Sequence, residues 1–265
     1  MVEILLLTVF TRTIGWKRLI AVFFQGIVIS GLITFLLYKL LSISGADVNS
    51  VAINGWVIGF AEELFKLFPV GIAVYFIYKQ REVICNPSDF LILSVMSGTG
   101  FSMLEKTFWK DVSFPFTYGP HIGKLYFFPD ALGVFVDDRA LGYIGHSAAT
   151  GLVGMSVGIA FYLSRKFKKN WVWAIPSFVF IWVYVEHALL NAYYEDGVKA
   201  LLKIGGGLVT PYIFIIFLAA VLFIDIRNLV AWLKKNPGAI KILKSKKIFF
   251  FKTLHFFNFL ASFKR

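Results

Sequence analysis

Seven side chains pose the chemical problem in this chain. Glu62, Glu63, Lys66, Glu105, His146, His187 and Asn191 all lie in stretches that are otherwise strongly apolar. Carboxylates and imidazoles accept and donate protons in catalysis. Their oxygen and nitrogen atoms are also ligands for divalent ions such as zinc. Spacing groups them further. Glu62 and Lys66 are four residues apart, Glu63 and Lys66 three apart, and His187 and Asn191 four apart. On a helix each pair shares a face. Glu62 and Glu63 point about 100° away from each other, so one can pair with Lys66 while the other turns toward a reactant.

The elements carrying these residues are membrane spans. The chain is 58% hydrophobic and 16% charged, with 265 residues. A soluble domain has about 25% charged residues. The apolar residues collect in runs of roughly 20, the length that crosses about 30 Å of hydrocarbon. The pattern predicts an all-α transmembrane bundle of six spans, over about 18–42, 54–78, 90–109, 141–163, 171–194 and 206–226. Residues 1–235 form one membrane-embedded domain, and residues 236–265 form a separate tail.

Positive charge predicts the orientation. With both termini cytoplasmic, inner segments hold 19 Lys and Arg residues and outer loops hold 5. Cytoplasmic loops collect Lys and Arg, so the net charge of +12 reflects topology rather than nucleic-acid binding. The tail mixes lysines (Lys241, Lys244, Lys246, Lys247, Lys252) with Phe249, Phe250, Phe251, Phe256, Phe257 and Phe259. It is expected to lie on the inner leaflet, its lysines drawn to anionic lipid. The outer loop between Lys110 and Arg139 is rich in aromatic residues and reads as an interfacial belt or a cover over the site. Cys85 is the single cysteine, so no intramolecular disulfide forms. No cleavable signal peptide is evident, since Glu3 stands where a positive segment is expected.

A charged side chain at the bilayer centre costs about 2.5–3.5 kcal/mol on insertion scales. The polar residues should therefore face one another in the bundle interior. At 1.5 Å per residue, Glu62, Glu105, His146 and His187 lie roughly 12, 6, 8 and 10 Å from the outer ends of their spans. Four helices thus bring ionisable groups to one level, in the outer half of the membrane.

At these residues the sequence resembles the PrsW-type intramembrane proteases. Glu62-Glu63-Leu64-Phe65-Lys66 looks like their EExxK motif, and Phe101-Ser102-Met103-Leu104-Glu105 like their FxxxE motif. His146, followed by Thr150-Gly151, stands where the family carries a histidine on the next span. His187-Ala188-Leu189-Leu190-Asn191 looks like the final HxxxD/N motif. The likeness covers roughly residues 50–195. It implies kinship with the CAAX prenyl proteases and bacteriocin-processing enzymes of the CPBP superfamily. Lys66 and Glu105 favour the PrsW branch over EExxxR and FxxxH, and Asn191 replaces the commoner Asp.

The resemblance implies hydrolysis of a peptide bond in a single-span membrane protein near the extracytoplasmic face, with an anti-sigma factor as precedent. In that scheme Glu62 is the general base, held with Glu105, and Lys66 orients Glu63. His187 and Asn191 donate to the oxyanion, and His146 completes the pocket. Either no cofactor takes part, or Glu62, Glu105, His146 and His187 hold a divalent metal such as zinc. The alternatives are a bacteriocin- or peptide-processing relative, a transporter, and a non-catalytic scaffold. Other protease chemistries lack their motifs. There is no HExxH and no GxSxG, and no Asp lies in the second to fifth expected spans.

Overall fold

In the computed structural model, residue 8 and residues 11–79, 86–109, 144–191 and 209–236 are described. The aromatic outer loop, Cys85 and the basic tail lie outside them. All regular structure among the described residues is helical. Helix α1, Trp16–Gln25, runs through a π-helical stretch, Gly26–Leu32, into α2, Ile33–Ile43. A second π-helical stretch, Val51–Ile58, leads into α3, Gly59–Lys79. Then come α4 (Pro87–Trp109), α5 (His146–Phe167), a 3₁₀ turn (Asn170–Trp173), α6 (Ala174–Asn191) and α7 (Thr210–Lys235). The chain forms two compact units, Met1–Leu222 and Phe223–Arg265. The candidate site belongs to the first.

Among the described residues, four helices are long and apolar enough to cross a membrane: Trp16–Ile43, His146–Phe167, Asn170–Leu189 and Tyr212–Lys235. The first presents Ile20, Phe24, Val28, Leu32, Leu36 and Leu40 outward, an exposed apolar stripe at four-residue spacing. Such a stripe suits hydrocarbon rather than water. Six spans were expected. The two remaining helices, α3 and α4, have 21 and 23 residues. They are long enough, yet their apolar content is diluted by the polar site on α3 and by serine, threonine and glycine on α4.

Burial explains that dilution. Every residue from Pro87 to Phe101 is buried, so this part of α4 has no outward face. It packs against α1 with its π stretch, α3 and α5. Small residues permit the approach. A Cβ on Gly100 would stand 2.1 Å from the Phe23 carbonyl oxygen, and one on Gly26 would stand 2.3 Å from that of Ser97. On the α5 side, a Cβ on Gly154 would meet Ser94 Oγ at 2.2 Å.

The fold corrects three expectations. Helix α5 begins at His146 and not near residue 141, so His146 sits in a first helical turn rather than five residues into a helix. Gly145 precedes it at φ 82°, ψ 154°, a conformation essentially reserved for glycine. Next, α4 begins at Pro87 and so includes Asp89, at its first turn. Asp89 accepts from the Thr13, Ile14 and Asn86 amides and the Thr13 hydroxyl. This ties the segment before α1 to α4. Glu105 is sixteen residues further on, about 24 Å along the helix, so Asp89 is structural and forms no aspartyl dyad there. Finally, α7 begins at Thr210 and runs to Lys235, beyond the expected end near 226.

Candidate active site

Helix α3 supplies three of the side chains, and its neighbours shape it. Pro69 lies inside α3 and has no N–H to give the carbonyl four residues back, that of Phe65. Ser30 Oγ donates to that oxygen instead, at 2.9 Å. Ser97 Oγ donates to the next carbonyl, Lys66, at 2.6 Å. Ser30, from the π stretch after α1, thus satisfies the carbonyl that the proline leaves open, and Ser97, from α4, adds a bond to the carbonyl of Lys66 itself.

The charged groups then form a continuous chain across four helices. Glu105 on α4 meets His146 on α5, with Oε2 2.9 Å from Nε2. His146 Nδ1 lies 3.0 Å from Lys66 Nζ. Lys66 donates to Glu63 Oε1, and that same oxygen lies 2.7 Å from His187 Nδ1 on α6. His187 Nε2 faces Glu62 Oε2 at 3.1 Å. The imidazoles of His146 and His187 cross edge-on, 5.0 Å between centroids. Phe101 packs its ring 4.9 Å from that of His146 and 5.1 Å from Lys66 Nζ. Lys66 is completely buried, and Glu63 and His187 are each 2% exposed.

The partners assign the ring tautomers. An ammonium only donates, so His146 Nδ1 accepts from Lys66 and Nε2–H donates to Glu105. A carboxylate only accepts, so His187 Nδ1–H donates to Glu63. That puts the Nε2 lone pair of His187 opposite Glu62 Oε2, a buried oxygen that makes no hydrogen bond. Two lone pairs at 3.1 Å require a proton or a cation between them. This is the observation on which a metal can be tested, and the residues fit. Ligand atoms of Glu62, His146 and His187 all lie within 4.8 Å of one another, and His146 would join a metal only on releasing Lys66 from its Nδ1 lone pair. Carboxylate oxygen and imidazole nitrogen are zinc ligands. Glu63 behind His187 is the carboxylate–histidine arrangement that fixes a metal-binding imidazole.

The structure therefore brings together Glu62, Glu63, Lys66, Glu105, His146 and His187. Glu105 stands on His146, outside the close set of three donors. Asn191 lies elsewhere: its Nδ2 donates to the Asn54 carbonyl at 3.3 Å, in the π stretch before α3. Sequence reasoning missed Glu186, which is 3% exposed. Its Oε1 accepts from the Thr210 hydroxyl, which accepts in turn from Trp182 Nε1 at 2.9 Å. The signal was present, since a carboxylate inside an apolar run carries the same insertion cost as Glu62. Ser30, Ser97 and Tyr184 were also missed, because serine and tyrosine in a helix carry no such cost and mark no partner.

No curated protein and no solved structure matches the chain. A family model does, that of the PrsW family intramembrane metalloproteases, over residues 14–224. The match encloses every residue of the buried chain from Glu62 to His187 and covers most of the sequence. The protein belongs to the PrsW family of intramembrane metalloproteases.

Proposed function

We propose that this protein hydrolyses a peptide bond in a single-span, membrane-anchored substrate close to the extracytoplasmic face. The observation that carries the reading is the buried Glu105–His146–Lys66–Glu63–His187–Glu62 chain, ending on a carboxylate oxygen without a hydrogen bond. In this reading α3 and α4 also cross the membrane, giving six spans with both termini inside. The tail from residue 236 rests on anionic lipid. An anti-sigma factor is the substrate class the family precedent favours.

Glu62 and His187 would hold the metal, with His146 joining them in place of its contact to Lys66, and the metal would polarise the scissile carbonyl and lower the pKa of a bound water. The remaining chemistry is done by the chain's own groups. Glu63 accepts from His187 Nδ1 and so keeps Nε2 pointed toward Glu62. Lys66 offsets the charge of Glu63 in a region closed to water. Glu105 is the more open carboxylate, with 19% of its side chain exposed, and it is hydrogen-bonded to His146. It takes the proton of the attacking water and returns it to the leaving amine. Phe101 walls the site and keeps the imidazoles from solvent.

A metal-free reading, with Glu62 as general base and a proton between Glu62 and His187, rests on the same 3.1 Å contact. Metal analysis of purified protein separates the two. The metalloprotease reading expects stoichiometric zinc, and cleavage that stops with a chelator and returns with zinc. Membrane proteomics of Glu62→Gln against wild type should show one single-span protein accumulating uncut. Full cleavage by both Glu62→Gln and Glu105→Ala would overturn the assignment. A Glu62→Gln variant that still supported the cellular phenotype would favour a scaffold.

A further inference from the structure

Two side chains on α6 reach past the buried charges and grip the backbone that leads into α3. Tyr184 lies three residues before His187, and Asn191 four residues after it. All three therefore share one face of α6. Asn191 Nδ2 donates to the Asn54 carbonyl, and Tyr184 Oη donates to the Trp56 carbonyl at 3.1 Å. Both acceptors belong to the π-helical stretch Val51–Ile58. Just past the two bonded carbonyls the helices approach closely: a Cβ on Gly59 would lie 3.6 Å from Ala188 Cα and 3.8 Å from Asn191 Nδ2. The Tyr184 ring also packs edge-on against Trp56 and Phe60, at 5.8 and 5.3 Å.

The position of this grip matters because of what a π stretch does. Its hydrogen bonds run from residue i to i+5, one residue longer than those of an α-helix. Each added residue turns the chain that follows by about 100°. Glu62 and Glu63 come four and five residues after the stretch ends at Ile58. Their direction relative to His187 thus depends on where the π winding stops. The two α6 side chains that bond the carbonyls of this stretch flank His187 itself.

We infer that Tyr184 and Asn191 are positioning residues that lock the π winding of Val51–Ile58 and so aim Glu62 and Glu63 at His187. Asn191 acts through the backbone of the neighbouring helix rather than on the substrate. The inference depends on the geometry of the carboxylates alone. It stands or falls separately from the protease reading, because it needs neither metal nor substrate for its test.

The test is carbodiimide labelling of carboxylates in the full-length, detergent-purified protein, read residue by residue by mass spectrometry. Glu62 and Glu63 are protected in wild type by burial, and so are Asp89 and Glu186. The Tyr184→Phe/Asn191→Ala variant should label Glu62 and Glu63 on the order of tenfold faster, with Asp89 unchanged. Amide exchange should rise over residues 51–60 and not over 90–100. If the double variant does not fold, Tyr184→Phe alone, which removes one hydroxyl, should show the same selectivity at about threefold. Unchanged labelling of Glu62 and Glu63 would overturn the inference. An equal rise at Asp89 would overturn it too, since that reports general loosening and not a turn of α3.

Discussion

Glu63→Gln separates two functions that one oxygen performs. Glu63 Oε1 accepts from Lys66 and from His187 Nδ1. Glutamine keeps the shape and leaves a carbonyl oxygen in place, but it removes the negative charge. On the His187 side the imidazole becomes a weaker base and its orientation is held less firmly. Losing such a supporting carboxylate typically costs about 10–100-fold in metal affinity, or roughly 1.4–2.7 kcal/mol at 1.36 kcal/mol per tenfold. On the Lys66 side a completely buried ammonium loses its counter-charge. Removing one partner of a buried ion pair costs about 3–5 kcal/mol. The glutamine still accepts a hydrogen bond, so that figure is an upper bound for the loss of stability.

The two effects come apart in the double variant Glu63→Gln/Lys66→Met. Replacing both members of a buried pair is often neutral or better for stability. Stability should therefore return, while zinc affinity stays low because His187 still lacks its carboxylate. The assay is competition for zinc with a chromophoric chelator in detergent, alongside thermal unfolding of the metal-free protein. Wild-type zinc affinity in Glu63→Gln would refute the argument that Glu63 orients a metal-binding His187. Recovery of both properties in the double variant would refute it as well, by tracing the whole effect to an unpaired lysine.

Three further perturbations test the helix packing. Ser30→Ala should cost about 0.6–1.7 kcal/mol, the range for hydrogen bonds between membrane helices, because the Phe65 carbonyl has no other donor at position 69. In a Pro69→Ala background the restored N–H can serve that carbonyl, so the cost should fall toward zero; equal costs in a double-mutant unfolding cycle would remove Pro69 from the account. Gly100→Ala should destabilise by about 1–3 kcal/mol as overpacking, since the new Cβ meets backbone at Phe23. Gly71→Ala on α3 meets nothing within 4 Å and should be neutral or stabilising by up to about 1 kcal/mol; the same unfolding assay ranks them, and a reversed order would contradict the helix contacts described here.

Much of the site was legible because burying charge is expensive. The cost rule singles out Glu62, Glu63, Lys66, Glu105, His146 and His187 without any knowledge of their partners. It applies equally to Glu186, which a stricter reading would have included. Pairing was not legible. Nothing in the spacing says that Glu105 stands on His146 and not on Glu62, or that Lys66 bridges Glu63 to His146 across eighty positions. Helix faces narrow the choices along one helix, and packing between helices decides among them. The π stretches were illegible for another reason. Val51–Ile58 is as apolar as any α-helix, and its winding answers to Tyr184 and Asn191, more than a hundred residues away.

Helices α3 and α4 are long enough to span a membrane but not apolar enough, and their packing shows why. Each contains groups that hydrocarbon would reject: two carboxylates, an ammonium and a proline-opened carbonyl on α3, and a run of serine, threonine and glycine on α4. Several of these groups find partners on neighbouring helices, whereas Ser94 Oγ and Glu62 Oε2 make no hydrogen bond. Ser30 and Ser97 serve the carbonyls, His146 and His187 serve the charges, and glycines let the backbones close to these distances. Neither helix is therefore an autonomous span, and both depend on α1, α5 and α6 for their polar satisfaction. The same dependence builds the site. A chain of ionisable groups can be nearly dry only where several helices together enclose it, and its end on Glu62 is a buried oxygen without a hydrogen bond, 3.1 Å from His187 Nε2.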